Sequence, residues 1–546
     1  MPHQINASPQ STEYHLMTTS SSTSDDGHPQ EEESILVEAE LHETSSGHAA
    51  SSLSRKPGKG RLRQALIELL PSFLHPSSRQ HGGEEPPRPM SSTAWLDGLR
   101  GYAAFFVVWH HISLLWFSWS LHDGYAGLET DHLLQLPILR LAISGPPHVF
   151  IFFVVSGYAL SHKTLRLLRA TNKPATEESY AALASSAFRR HPRLFIPPVV
   201  LNLPTVLIAY AGLFGGSQEG GGQMPGAALK SIDPKAFETL GAQLGDYVRT
   251  ALELVDPLAH RPDWPWAYNP ATWTLPHEFH GSLLVYGVLL ALSRCKNSVR
   301  LLAVVGVASW ALYFVYWPEF LFLGGILLAD LRLQSRRGTQ EAGEEDEEKS
   351  STISGEWKPA GTCSNTGWKS VVSRTASNRY LQTTIQITMY VLALYVLGAP
   401  KWDRGGDKAS GYVWLAQLVP SQYVAAGKPD HFWGPIAAVA LIFILDWSPL
   451  LQRLFTTAVA KYLGRISYSL YLVHGPLLHC LGWWAGKFFL GFTGSGTNSS
   501  YVLGVTCAVI VLWVVTIWVA DLGWRYVDAP AVRFAAWVHR KVALSK

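Results

Sequence analysis

Between Trp95 and Arg533 the chain carries about ten apolar runs, most of them near the ~20 residues that a helix needs to cross hydrocarbon. They fall at about 98–119, 145–162, 194–214, 272–293, 299–316, 319–333, 381–398, 433–450, 464–490 and 501–522. No other feature restricts the fold as much. A bilayer core offers no water to unpaired backbone N–H and C=O groups, so runs of this length cross it as helices. The expected fold is an all-α, polytopic membrane bundle of about ten helices. Pro197 and Pro198 fall inside the third run, where neighbouring helices can compensate for a kink. Composition agrees: 47% of residues are hydrophobic and only 16% charged, against roughly 25% charged in soluble domains. A fibrous protein, a small disulfide scaffold, a mainly disordered chain and a soluble multidomain enzyme are excluded.

The charges set the expected organisation. Residues 1–90 read as a disordered cytosolic tail, rich in Ser, Glu, His and Pro. Leu62–Leu70 follows Lys56, Lys59 and Arg61, and reads either as an interfacial helix or as a linker. The membrane domain spans 95–533, and 534–546 form a cytosolic C-terminal tail. Basic residues gather in alternate connections: Lys163 to Arg193 after the second run, Arg294 to Arg300 after the fourth, Arg332 to Arg337 at the end of the sixth. Arg453 to Arg465 precede the ninth, and Arg533 to Lys546 follow the tenth. Under the positive-inside rule these connections and both termini are cytosolic. Asn498-Ser499-Ser500 is then a glycosylation sequon in the last outside loop, while the Asn6 sequon is cytosolic. The glycine-rich stretch 215–222 reads as an outside loop. A net charge of +3, without a basic surface, argues against a nucleic-acid partner. Cys295, Cys363, Cys480 and Cys507 form no CxxC pair, so no metal is expected.

Polar groups inside a membrane are expensive, and each is a functional candidate. The first run opens with Asp97-Gly98-Leu99-Arg100-Gly101 and reaches His110-His111. Arg100 and His111 are eleven residues apart, hence on one helix face with a rise of ~16 Å. A cation at the cytosolic rim suits phosphate, and a neutral imidazole at mid-membrane suits general-base work. A snorkelling arginine and a packing histidine are the plain alternatives. Glu278, in Trp273-Thr274-Leu275-Pro276-His277-Glu278, enters the fourth run from outside by ~1.5 turns. It could orient a histidine, bind a hydroxyl, or simply meet water. His474 in the ninth run lies ~15 Å from its cytosolic end, at a depth like that of His111, just before the kinking Pro476. Tyr468 and Tyr471 share a side of that helix, suited to interhelical hydrogen bonds or to substrate. Ser156-Gly157 permits close helix approach, and Ser156 lies in no GxSxG elbow.

In this order the clusters resemble the membrane acyltransferase 3 family of glycan O-acetylases and their eukaryotic relatives. The resemblance rests on Asp97 to His111, Phe152 to Tyr158, Arg190-His191-Pro192-Arg193 to Pro197, Trp273 to Glu278 and Ile466 to Pro476. Thr274, Pro276 and Asp528-Ala529-Pro530 depart from the usual residues. The resemblance implies transfer of an acyl group, expected to be acetyl, from cytosolic acyl-CoA to a hydroxyl of a glycan, lipid or small metabolite. His111 and Glu278 are then the expected catalytic residues. Asp97, Arg100, Arg190, Arg193, Ser156, Trp273, Tyr468, Tyr471 and His474 are expected to hold donor or acceptor. No bound cofactor is expected beyond the acyl-CoA co-substrate. The partners are the bilayer, the donor and the acceptor, in an endomembrane (ER or Golgi) or plasma membrane of a fungal-type cell. A transporter or flippase using the same polar cavity is the alternative.

Overall fold

The structure is a computed structural model that describes residues 67–75, 93–128, 131–170, 177–215, 224, 233–258, 266–352 and 367–543, with backbone alone at 170, 336–352 and 367–379. Most of the 1–90 tail, the Asn6 sequon, Cys363 and, of the glycine-rich stretch, Gly216 and Gly220 to Gly222 lie outside these residues. The described chain is helical, with no strand among the described residues. The main helices are α1 (Ala94–Trp116), α2 (Pro146–Ala170), α3 (Glu177–Leu201), α4 (Thr205–Tyr210), α5 (Leu240–Val255), α6 (Thr274–Ala291) and α7 (Asn297–Tyr313). After these come α8 (Trp317–Thr352), α9 (Gly367–Leu397), α10 (Asp430–Trp447), α11 (Ala458–Leu477), α12 (Trp483–Thr493), α13 (Asn498–Gly523) and α14 (Ala529–Val542).

Each apolar run of the sequence lies on one of these helices or on a consecutive pair. By length and apolarity, four helical stretches are able to cross a membrane: Glu177–Tyr210, Tyr380–Leu397, Asp430–Trp447 and Asn498–Val542. Several outward faces are apolar. Val502, Leu503, Ile510 and Val514 are exposed on α13, as are Ile385, Met389 and Leu392 on α9 and Leu302 and Trp310 on α7. A contiguous apolar exterior of this kind suits hydrocarbon rather than water.

The helices depart from the simple picture of runs and loops in four places. α8 continues through the acidic run at 344–348 to Thr352, where a loop is expected after residue 333. Arg189, Arg190 and Arg193 sit on α3, not in a loop, because the helix starts at Glu177 and carries its prolines without breaking until Leu201. The ninth run is two helices. A π-turn at Leu478–Gly482 follows Pro476, whose ring blocks continuation of the regular ladder, and separates α11 from α12. Residues 529–542 form the amphipathic helix α14, packed against α3.

Glycines set the closest helix contacts. α1 packs on α11, and α2 on α8. A Cβ at Gly101 would stand 2.4 Å from Gly464 N, and one at Gly464 would stand 2.5 Å from Asp97 O. Across the α2–α8 contact, a Cβ at Gly157 would stand 2.2 Å from Phe322 O, and one at Gly325 would stand 2.4 Å from Val154 O. Small residues let backbones approach where apolar side chains give no preference over lipid. The first motif therefore serves as a helix seam, with Arg100 carried beside it.

Buried charges are paired. Asp330, 1% exposed, lies between Arg169 at 2.5 Å and Arg300 at 2.9 Å. The cluster joins the end of α2, the start of α7 and α8, so these termini share one end of the bundle. Asp521 accepts from Ser72 through N (3.0 Å) and Oγ (2.6 Å) and pairs with Arg525 at 2.8 Å. Arg525 also donates to Glu68 O and Leu70 O, each at 2.7 Å, and Trp518 to Leu69 O at 2.6 Å. Residues 67–75 thus dock against the end of α13, while 62–66 lie outside the described residues.

Candidate active site

α1 and α11 run parallel along their glycine seam, so equal depths on the two helices meet. Near one end, Arg100 donates through Nε to Ser467 Oγ (3.0 Å) and through Nη2 to Gly464 O (3.2 Å), with Asp97 at 3.5 Å. Eleven residues beyond Arg100 on α1 and ten beyond Gly464 on α11, His111 meets His474: Nδ1 of His111 lies 3.1 Å from Nε2 of His474. Their common depth is the level that the sequence assigns to each separately.

The hydrogen-bond partners fix the protons on this pair. Nδ1 of His474 lies 2.7 Å from Tyr471 O, a carbonyl that can only accept, so Nδ1 carries the hydrogen. Nε2 of neutral His474 is then an acceptor facing His111. Nδ1 of His111 lies 3.0 Å from Val107 O, and it too carries its hydrogen. Nε2 of His111 is left as a lone pair, with no protein partner among the described residues. His111, half-buried, lines a cavity with Trp273, Tyr471, Phe150 and Trp317. The cavity encloses about 1100 Å³ including its mouth. His474 is 1% exposed and supports His111 from behind.

Several framework bonds hold this depth in register. Tyr471 donates to Ala271 O and meets Thr274 Oγ1 at 2.6 Å. Thr274, which stands in for a serine in the motif, still supplies the hydroxyl. Tyr468 donates to Leu194 O at 2.5 Å, tying α11 to α3. Asn269 donates to Asn202 Oδ1 at 3.1 Å and to Leu472 O at 2.6 Å. A Cβ at Gly475 would lie 2.8 Å from Asn269 Oδ1, which accounts for the glycine after His474. The two tyrosine hydroxyls are thus committed to helix ties.

Glu278 does not join the histidines. It forms an ion pair with Arg190, whose Nε also donates to Ser282 Oγ at 2.7 Å. The antiparallel packing of α3 on α6 explains the pairing. Arg190 comes from inside α3 and Glu278 from the second turn of α6, and the two meet where a rim cation and an outer carboxylate would have been far apart. Arg193 is half-buried one turn along α3. Ser156 is half-buried beside the Gly157 contact and does not line the cavity. His277 packs among Trp273, Trp317 and Phe153. Asn498 is the exposed first residue of α13, and Ser500 of its sequon is engaged in a capping box with Thr497.

Other residues at this site carry no signal in the sequence. His479, in the π-turn, pairs with Asp233 at 3.3 Å. Arg140, Lys401, Asp430 and His431 line the far wall of the cavity. They come from connections and a helix start, where no periodicity marks them. Among the described residues, no three His, Cys, Asp or Glu side chains gather as metal ligands would.

An apolar exterior and a histidine pair beside a cavity are what the described residues present as a candidate site. The chain belongs to the acyltransferase 3 family, whose acyltransferase-domain model matches residues 93–518, and it is an enzyme that transfers acyl groups. It is 34% identical over 486 residues to the O-acetyltransferase PaAT-1 of Phomopsis amygdali, covering 86% of this chain and 88% of that protein. It is 24% identical to the acyltransferase R4 of a Phoma species, over 82% of this chain and 95% of the relative. The acyltransferase clz18 of Cochliobolus lunatus is 23% identical, over 84% and 98%. No solved structure matches the chain.

Proposed function

We propose that the chain is a ten-span membrane O-acyltransferase that moves an acetyl group from acetyl-CoA to a hydroxyl of a small metabolite. Arg100 faces the cytosol in this reading, and with Arg189 and Arg193 it meets the phosphates of the donor. His111 Nε2 takes the proton of the acceptor hydroxyl as its oxygen attacks the thioester carbonyl. The C–S bond breaks, the C–O bond forms, and the imidazolium returns the proton to the leaving sulfur. The products are an ester and free CoA thiol. His474 accepts from His111 Nδ1–H, so it holds the tautomer and steadies the imidazolium. Glu278 and Arg190 are positioning residues that lock α3 to α6. The observation that supports the reading is the His111–His474 contact with each Nδ1 beside a backbone carbonyl, an arrangement that leaves Nε2 of His111 for the acceptor. The name of the Phomopsis amygdali relative supports an acetyl group and oxygen as acceptor atom.

The test is acyl transfer in a fungal host, read by mass spectrometry as the gain of one acetyl mass on extracted metabolites. Folded His111→Gln should lose the modified product, while the protein remains in the membrane fraction. Unchanged acetylation by His111→Gln would overturn the proposal.

A further inference from the structure

The cavity that His111 lines also holds a buried guanidinium with open donors. Arg140 is 5% exposed. Its Nη2 donates to His122 O at 3.1 Å, and its Nε and Nη1 have no partner among the described residues. Among the described residues no carboxylate lies within ion-pair distance of it, and Asp123 acts on it only from further away. Burial lowers its guanidinium only to about 10, so it is charged at neutral pH. Lys401 lines the same wall. Asp430 lies there too, and its Oδ1 accepts from Trp402 N at 2.7 Å. Nδ1 of His431, also on this wall, is buried without a partner. A buried cation with open donors is costly unless a ligand completes it.

We propose that this cavity is the acceptor chamber and that it takes a largely apolar hydroxy acid, with the carboxylate on Arg140 and Lys401 and the hydroxyl at His111. Identifying the ligand as the acceptor rests on the acyl-transfer reading; the anion site itself does not. Nε and Nη1 of Arg140 are two open guanidinium donors, from which a pair of carboxylate oxygens can accept. A guanidinium is the cation whose planar donors match a carboxylate. Between the charged wall and His111 the lining is aromatic, with Phe150 against Trp317 at 5.4 Å and Trp273 close by. This geometry asks for a molecule that is anionic at one end, apolar in its body and hydroxylated at the other end. The chamber lies beside α1 at the level of Val107 to His111, and Arg100 does not line it.

The experiment uses the full chain in lipid nanodiscs. The probes are 12-hydroxydodecanoate and lithocholate, each paired with its methyl ester. Binding is read by calorimetry without acetyl-CoA, and thiol release is read separately with it. At least one acid should bind tenfold or more tighter than its ester, and Arg140→Gln should erase that difference. Arg140→Lys keeps the charge without the planar fork and should retain part of it. Lys401→Gln, an exposed substitution that leaves the buried wall intact, should weaken acid binding several-fold. The KM for acetyl-CoA should not move. Acid-selective binding that depends on Arg140 but gives no thiol release would uphold the chamber and count against the acyl-transfer reading for these ligands. Equal or absent binding of acids and esters would overturn the proposal. So would an Arg140→Gln variant whose defect lies in the KM for acetyl-CoA, because the cations would then serve the donor.

Discussion

Glu278→Gln distinguishes a structural carboxylate from a catalytic one. The ion pair with Arg190 is nearly buried, with side chains 14% and 11% exposed. Breaking a buried pair by removing one partner costs about 3–5 kcal/mol. Arg190 keeps its bond to Ser282 at 2.7 Å, which holds the loss to the lower end, about 3 kcal/mol. Arg190→Met should cost a similar amount, since it leaves Glu278 as the unpaired charge. The double replacement Arg190→Met/Glu278→Leu should cost at least about 1.5 kcal/mol less than the two singles together, because apolar side chains often replace a buried pair at little cost. The assay is chemical denaturation in mixed micelles, with acetyl transfer measured on the same preparations. Activity should fall in step with stability in both singles and recover in the double. Single losses that add within about 0.5 kcal/mol would refute the pairing. Full stability of the double replacement with complete loss of activity would refute the positioning role and return Glu278 to the chemistry.

Other expected outcomes test separate parts of the fold. His111→Ala should lower kcat by roughly 10²–10⁴-fold, the usual contribution of a general base, while His474→Asn, which can still accept at that position, should lose much less; equal losses in both would argue against the tautomer assignment. Gly101→Ala places a methyl 2.4 Å from Gly464 N, and should destabilise by about 1–3 kcal/mol and lower kcat by misaligning the two histidines; unchanged kinetics would contradict the seam. Asp521→Asn removes the charge that holds Ser72 and Arg525, and should speed limited proteolysis within 67–75 without altering the KM for acetyl-CoA.

The helical architecture was legible because bilayer thickness forces a residue count, and a residue count is visible in a sequence. The level of His111 and His474 was legible for the same reason, since rise per residue converts numbering into depth. What stayed hidden was which helices touch. Glu278 announced itself as a charge in an apolar run and Arg190 as one of a basic connection, but no spacing along the chain tells that α3 and α6 bring them together. Arg169 and Arg300 counted as orientation signals in flanking loops, whereas part of their work is to neutralise Asp330 inside the bundle. Arg140 and Lys401 lie in connections, where neither a period of 3.6 nor an unusual composition marks them. The glycines of the first motif were visible as letters, yet their reason was the backbone of Phe455 for Gly98 and of Gly464 for Gly101, more than three hundred residues away.

The contact between Ser72 and Asp521 spans 449 positions of sequence. During synthesis at roughly 5–20 residues per second, Ser72 leaves the ribosome some 20–90 s before its acceptor exists. Through that interval the helices from α1 to α12 can form and pack, and only α13 supplies the carboxylate that receives the segment at 67–75. The latch therefore closes only after nearly all of the helical body has been made. A chain that stalls or is cut short before residue 521 keeps that segment loose, and quality-control proteases have a strand to grip.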